Sequence, residues 1–225
     1  MIVAEQKPIE EILKSLEGHG KVLIVACGTC VTVCMAGGEK EAVKLASLLE
    51  VVNKDRGMDQ SIEVVVSKRQ CDREFLDEIR DAVDRNDIVL SMGCGAGVQF
   101  MTEIFPERII LPALNTKFLG VTKELGVWSE MCQGCGDCIL EKTGGICPVT
   151  RCSKSNFNGP CGGSSQGKCE IDPTIDCGWQ LIYDRLKALN SLDKLYETIE
   201  PKDWRTSRDG GPRKVVKEEM MTYDR

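Results

Sequence analysis

Histidine is almost missing from these 225 residues, with His19 standing alone. That removes the usual base of a Ser-His nucleophile and the imidazole ligand of most zinc enzymes and mixed Cys/His fingers. Aromatic side chains make up only 5% of the chain, so ring packing adds little to a core. No apolar run approaches the roughly 20 residues that cross a bilayer, and membrane insertion is not expected. Basic charge is also short, 29 Lys and Arg against 35 Asp and Glu, for a formal charge of -6. A nucleic-acid partner, which needs wholesale phosphate neutralisation, is therefore not expected. Residues 1–16 carry Glu5, Glu10 and Glu11 and show no basic-then-apolar leader, so a cytoplasmic location is expected. The length suits one large domain or two small ones and leaves no room for a (β/α)8 barrel beside anything else.

Cysteine, by contrast, is abundant. In a reducing compartment, 13 thiols point to metal or redox chemistry rather than to disulfides. Buried cysteines acting as small hydrophobes are the plain alternative, and their spacing argues against it. Five lie in residues 1–131: Cys27, Cys30, Cys34, Cys71 and Cys94. Eight lie in residues 132–177: Cys132, Cys135, Cys138, Cys147, Cys152, Cys161, Cys169 and Cys177.

The first part alternates helical and strand patterns. Ile9, Ile12, Leu13 and Leu16 recur at helical spacing before Gly18 and Gly20. Lys21–Ala26 is a continuous apolar run of the kind buried on both faces of a sheet. Helices are expected over Glu39–Asn53 (Ala42, Leu45, Ala46, Leu49 and Val52 inward), Arg73–Asn86 (Phe75, Ile79, Ala82 and Val83 inward) and Val98–Phe105. Further strands are expected at Ile62–Val66, Ile88–Met92 and Arg108–Leu111. The fold class is therefore α/β, a small open parallel sheet of Rossmann or flavodoxin-like type over residues 1–127. A cysteine-rich, metal-stabilised domain, ferredoxin-like or irregular, follows over 128–178, then a helical segment and extended arm over 179–225. Residues 128–178 are rich in turn signals and poor in apolar periodicity, so burial alone cannot offset their ordering entropy and metal is expected to hold them.

Two sites, and a third, emerge from spacing. In an open parallel sheet the carboxyl ends of the strands share the ligand-binding rim. Cys27, Cys71 and Cys94 each follow a strand, and Cys30 and Cys34 sit in the loop leaving that rim. The expected rim set is Cys27, Cys30, Cys34 and Cys94, with Cys71 as the alternative fourth ligand; a redox disulfide pair at Cys27/Cys30 is the competing reading. Cys132-x2-Cys135-x2-Cys138 matches the first three ligands of a bacterial ferredoxin run, with Cys147 (before Pro148) or Cys177 completing the set. Cys152, Cys161, Cys169 and Cys177 form a third set, suited to iron–sulfur or zinc. At least two 4Fe–4S clusters are expected, with one zinc as an option. Gly93-Cys94-Gly95-Ala96-Gly97 lacks the third spacing of a dinucleotide fingerprint and follows the third strand, so it reads as a turn bringing amides close to a bound group. No paired acid and base, and no nucleophile beside a base, is evident.

Several blocks together resemble a known family. Cys27-Gly-Thr-Cys30-Val-Thr-Val-Cys34, Ala36-Gly-Gly-Glu-Lys-Glu41, Lys68-Arg-Gln-Cys71-Asp72 and Cys94-Gly-Ala-Gly97-Val-Gln99 resemble the MetV-type iron–sulfur subunit of bacterial methylenetetrahydrofolate reductase. Pro112–Gly120, Thr143–Pro148, Asn158–Gly163, Gly167–Glu170 and Asp176–Trp179 are similar to the C-terminal domain family named for that reductase. The resemblance implies a role in acetogen-type one-carbon metabolism. It implies a separate barrel subunit carrying flavin and folate, to which this chain passes electrons or which it organises. It also implies a ferredoxin or another electron-input subunit upstream. The family has carried a "zinc finger" label too, which keeps a zinc-holding scaffold as the alternative. On either view the polar segment Pro201–Arg225 is expected to contribute to the partner interface.

Overall fold

Along the chain come β1 (Ile2–Gln6), α1 (Ile9–Ser15), β2 (Lys21–Cys27), α2 (Cys30–Val33), α3 (Glu39–Arg56), β3 (Ser61–Ser67), α4 (Arg73–Asp77) and α5 (Arg80–Asp84). They are followed by β4 (Ile88–Ser91), α6 (Gly95–Ile104), β5 (Ile109–Pro112), β6 (Leu114–Glu124), β7 (Val127–Cys132), α7 (Pro148–Arg151) and α8 (Gly178–Ala188). This is a computed structural model, and it describes residues 1–221; the end of the expected C-terminal arm, 222–225, lies outside the described residues. Contacts divide the chain into two units, meeting between Ser129 and Glu130.

The first unit is α/β. Its parallel sheet has the order β3-β2-β4-β5, with β2 in register against β3 on one side and β4 on the other. The apolar run of β2 serves both faces through the two-residue period of a strand. Val22, Ile24 and Ala26 join one core with Leu45 and Leu49 of α3. Leu23 and Val25 join the other with Leu76, Val83 and Met101. Each of these fully buried aliphatic side chains contributes about 1.5–3 kcal/mol relative to exposure. Because the chain leaves β2 toward β3 and later returns to the other side for β4, the strand order reverses beside β2. In open parallel sheets ligands bind beside such a reversal, at the carboxyl ends of the strands.

A second sheet, β1-β6-β7, is antiparallel and was not expected. β1 pairs with β6, with a register shift between Val3 and Ala4. Only Leu114 and Gly120 of the eleven residues of β6 are buried, which leaves little hydrophobic alternation to read. The expected continuous helix over 73–86 is broken instead into α4 and α5. Amides of Ile79 and Ala82 bond carbonyls three residues back (Leu76 and Ile79), a tighter 3-10 geometry that keeps Leu76, Ile79 and Ala82 on one inward face. Leu76 takes the buried place expected for Phe75, whose ring lies half-exposed under the Lys68 ammonium at 4.9 Å. Likewise Asn53, not Val52, is buried at the end of α3.

The second unit has little regular structure. α8, in the expected helical segment, buries Trp179, Ile182 and Leu186; Leu189, which the same spacing places inward, is exposed just past the end of the helix. A 3-10 turn at Leu192–Tyr196 follows. The segment from Pro201 is not a plain extended arm: short 3-10 turns form at Trp204–Thr206, Arg208–Gly210 and Glu218–Met220.

Candidate metal centres

On the rim of the first unit, Cys27 closes β2, Cys94 is the N-cap residue of α6 after β4, and Cys71 follows β3. Burial first, and then nearby Cys94 and Cys27, push the Cys71 thiol above its ordinary value. Cys30 opens α2 and is partly exposed. Cys34 is buried, and its Sγ lies 3.7 Å from the Ala4 carbonyl and 3.6 Å from that of Val31. The Cys71 segment is anchored by its neighbour Gln70. The buried Gln70 amide donates to the Val25 carbonyl at 2.8 Å and accepts from the Ser91 hydroxyl.

In the second unit the eight thiols sort into two cavities. The first, about 220 Å³, is lined by Cys132, Cys135, Cys138 and Cys147, with Met131, Ile139 and Val149 among its apolar walls. Cys132 ends β7, the Gly-rich loop to Cys138 follows, and Cys147 is the N-cap residue of α7 with Pro148 behind it. The Gly134 N–H is directed at Cys132 Sγ, 3.3 Å away. Thr150 also lines this cavity, and its buried hydroxyl has no hydrogen-bond partner among the described residues.

The second cavity is far smaller, about 20 Å³, and is lined by Cys152, Cys161, Cys169 and Cys177. Three local devices gather them. Gly178, at the start of α8, passes so close to the end of α7 that a Cβ there would sit 2.7 Å from the Arg151 carbonyl carbon and 3.0 Å from the Cys152 nitrogen. That glycine brings Cys177 to Cys152. The Cys177 amide donates to Gly167 at 2.8 Å and the Cys169 amide to Ile175 at 2.9 Å, folding the intervening loop back. The Gly163 N–H points at Cys161 Sγ, 3.5 Å away. The Ser153 hydroxyl, then the backbone N–H groups of Ile171 and Asp172, hold the Cys169 thiol below its ordinary value. Cys177 is the N-cap residue of α8.

Among the described residues, no group of three or more Cys, His, Asp or Glu side chains stands in ligating geometry. The four-thiol linings are thus a gathering of donors around two spaces. Their chemistry fits soft metal: thiolate-only sets select zinc or iron–sulfur clusters, and amide N–H groups aimed at sulfur accompany the latter.

Residues 111–205 match the family described as Methylene-tetrahydrofolate reductase C terminal. The matched stretch is less than half of the chain and includes all eight cysteines of the second unit; the rim cysteines precede it. Residues 111–205 are thus similar to the C-terminal domain for which that family is described. No curated protein and no solved structure matches the chain.

Sequence reasoning did not single out Gln70, Ser91, Thr150 or Ser153, none of which carries a distinctive spacing. It also missed the contact that Lys202, Thr206 and Arg213 make with the Cys132–Cys138 loop. Those donors lie 65 to 79 residues from their acceptors, beyond the reach of any local pattern. Among the described residues no helix is long and apolar enough to cross a membrane.

Proposed function

We propose that this chain is an electron-transfer subunit of a methylenetetrahydrofolate reductase assembly, of the MetV type. In this reading a separate barrel subunit carries the flavin and the folate substrate, and reduction of methylenetetrahydrofolate to methyltetrahydrofolate takes place there. The observation that carries the reading is the partition of eight thiols into two four-thiol cavities inside the stretch that matches the reductase family. An iron–sulfur cluster, when bound, supplies a one-electron carrier whose potential follows its net charge, its hydrogen bonds and its exposure. Cys132, Cys135, Cys138 and Cys147 would hold one in the larger cavity. The Gly134 amide and the unpartnered Thr150 hydroxyl are the donors available to it there. At the rim, Cys71 has Cys94 and Cys27 near it, whereas the buried Cys34 thiol is engaged by the Ala4 and Val31 carbonyls, which supports Cys71 over Cys34 as the partner of Cys27, Cys30 and Cys94.

A second reading has one observation behind it. About 20 Å³ is close to the room one water molecule needs, whereas about 220 Å³ holds a group of many atoms. The Cys152, Cys161, Cys169 and Cys177 set is therefore proposed to take a single tetrahedral zinc, which holds shape and passes no electrons.

Anaerobic purification followed by iron, sulfide and zinc analysis and electron paramagnetic resonance after dithionite reduction tests both. Equal iron and sulfide, a brown colour that bleaches on reduction, and zinc that disappears in a Cys161→Ser/Cys169→Ser variant are expected. The reduced chain should then bleach the flavin of the catalytic subunit. Iron-free, colourless protein that stays spin-silent overturns the electron-transfer reading and leaves the zinc scaffold.

A further inference from the structure

The segment after Pro201 folds back onto the cysteine loop of its own unit. The Lys202 ammonium donates to the Asp137 carbonyl at 2.6 Å and lies 3.3 Å from the Asp137 carboxylate; its side chain is only 1% exposed. The Thr206 hydroxyl donates to the Cys135 carbonyl at 2.9 Å. One nitrogen of the Arg213 guanidinium donates to both the Gly134 carbonyl, at 2.6 Å, and the Thr206 carbonyl, at 2.9 Å. Gly136, with φ +85, lies directly under the segment: a Cβ there would come within 3.0 Å of the Thr206 Cβ and carbonyl carbon. Three carbonyls within four residues of the loop are thus held by donors from one distant stretch.

We propose that residues 202–213 are a latch on the Cys132–Cys138 loop, with Lys202, Thr206 and Arg213 as positioning residues for whatever metal group the thiols hold. In a planar trans peptide, the carbonyl of one residue and the N–H of the next point in opposite directions. Fixing the carbonyls of Gly134, Cys135 and Asp137 toward the latch therefore turns the N–H groups of Cys135, Gly136 and Cys138 away from it. Loop residues 132–138 line the larger cavity and the latch residues do not, so those amides belong to the face that borders the cavity. The latch also sets two permanent cations, Lys202 and Arg213, beside a set of four thiolates. That offsets negative charge that apolar walls would leave uncompensated. The partners of a ligating shell orient the ligands and set how tightly metal is kept.

The identity of the metal rests on the function proposed above, but the latch geometry does not, and the test keeps the two apart. In the full-length metal-loaded chain, the double variant Thr206→Val/Arg213→Gln alters two exposed side chains and spares the buried Lys202. It should raise amide hydrogen exchange across 133–138 and speed metal release to a chelator by about tenfold, the lower end for loss of such partners. If iron is present, the reduction midpoint of that centre should move to a more negative value in Arg213→Gln, and Arg213→Lys should restore it. Lys202→Met should act in the same direction. Wild-type exchange and wild-type metal release in the double variant overturn the latch. Zinc in place of iron overturns electron transfer only, because exchange and release still decide the latch.

Discussion

The Ser91 hydroxyl donates to Gln70 Oε1 at 2.5 Å, joining the end of β4 to the loop after β3 in the interior of the first unit. Since the Gln70 amide nitrogen also bonds the Val25 carbonyl of β2, one side chain ties three strands at the rim that carries Cys27, Cys71 and Cys94. Gln70→Leu removes one partner from each of two buried groups that keep another, since the Val25 carbonyl still accepts from the Met92 N–H and the Ser91 hydroxyl from the Gly93 N–H. A loss of about 1–3 kcal/mol is expected as a lowered urea midpoint at unchanged slope for the first unit. A change within experimental error would show that Gln70 is not the tie.

Thr150→Val tests whether the larger cavity is built for a polar occupant. The hydroxyl bonds nothing among the described residues, so its loss should cost the metal-free chain nothing measurable. In the loaded chain the same change should move the midpoint negative by removing a donor to sulfur. Identical potentials would show that the hydroxyl serves no bound group.

Gly178→Ala should do the reverse of the usual glycine replacement. Alanine is the better helix former by roughly 0.5–1 kcal/mol, yet here its methyl meets the backbone of Arg151 and Cys152. A backbone clash of that kind costs about 1–3 kcal/mol. Metal content should fall at the Cys152, Cys161, Cys169 and Cys177 set and hold at the other thiols. Metal analysis of the purified variant reads this directly, and full retention at that set would contradict it.

The Arg85 guanidinium beside Glu63, with smaller help from Asn86, holds the Glu63 carboxyl below its ordinary value. A depressed carboxylate contributes stability above its unfolded pKa and loses it as pH falls through the folded one. Glu63→Gln should therefore melt slightly lower than wild type at neutral pH. The two curves should converge as pH drops below about 4, the ordinary range for glutamate. High salt should narrow the gap, since the pair is largely exposed. A gap that widens in acid would reverse the sign argued here.

Much of the first unit was legible because its two central strands, β2 and β4, are buried on both faces. The apolar runs of β2, β3 and β4 leave little choice of period, and the alternation with helices follows. β1 and β6 were not legible, since they pair across more than a hundred residues and β6 is mostly exposed. The break between α4 and α5 escaped notice because Leu76, Ile79, Ala82 and Val83 satisfy helical and 3-10 spacing alike. In the second unit, ferredoxin-like spacing pointed to Cys132, Cys135 and Cys138 and left Cys147 and Cys177 as rivals. The structure lines the first cavity with Cys147 and the second with Cys177. What spacing could not convey is the room left between the thiols, which depends on the close pass at Gly178.

Direction of synthesis gives the 65-to-79-residue separation between loop and latch a consequence of its own. A ribosome completes Cys132–Cys138 well before it adds Lys202, Thr206 and Arg213. During translation the loop is therefore made without its latch, and the carbonyls of Gly134, Cys135 and Asp137 are fixed only once the later segment follows.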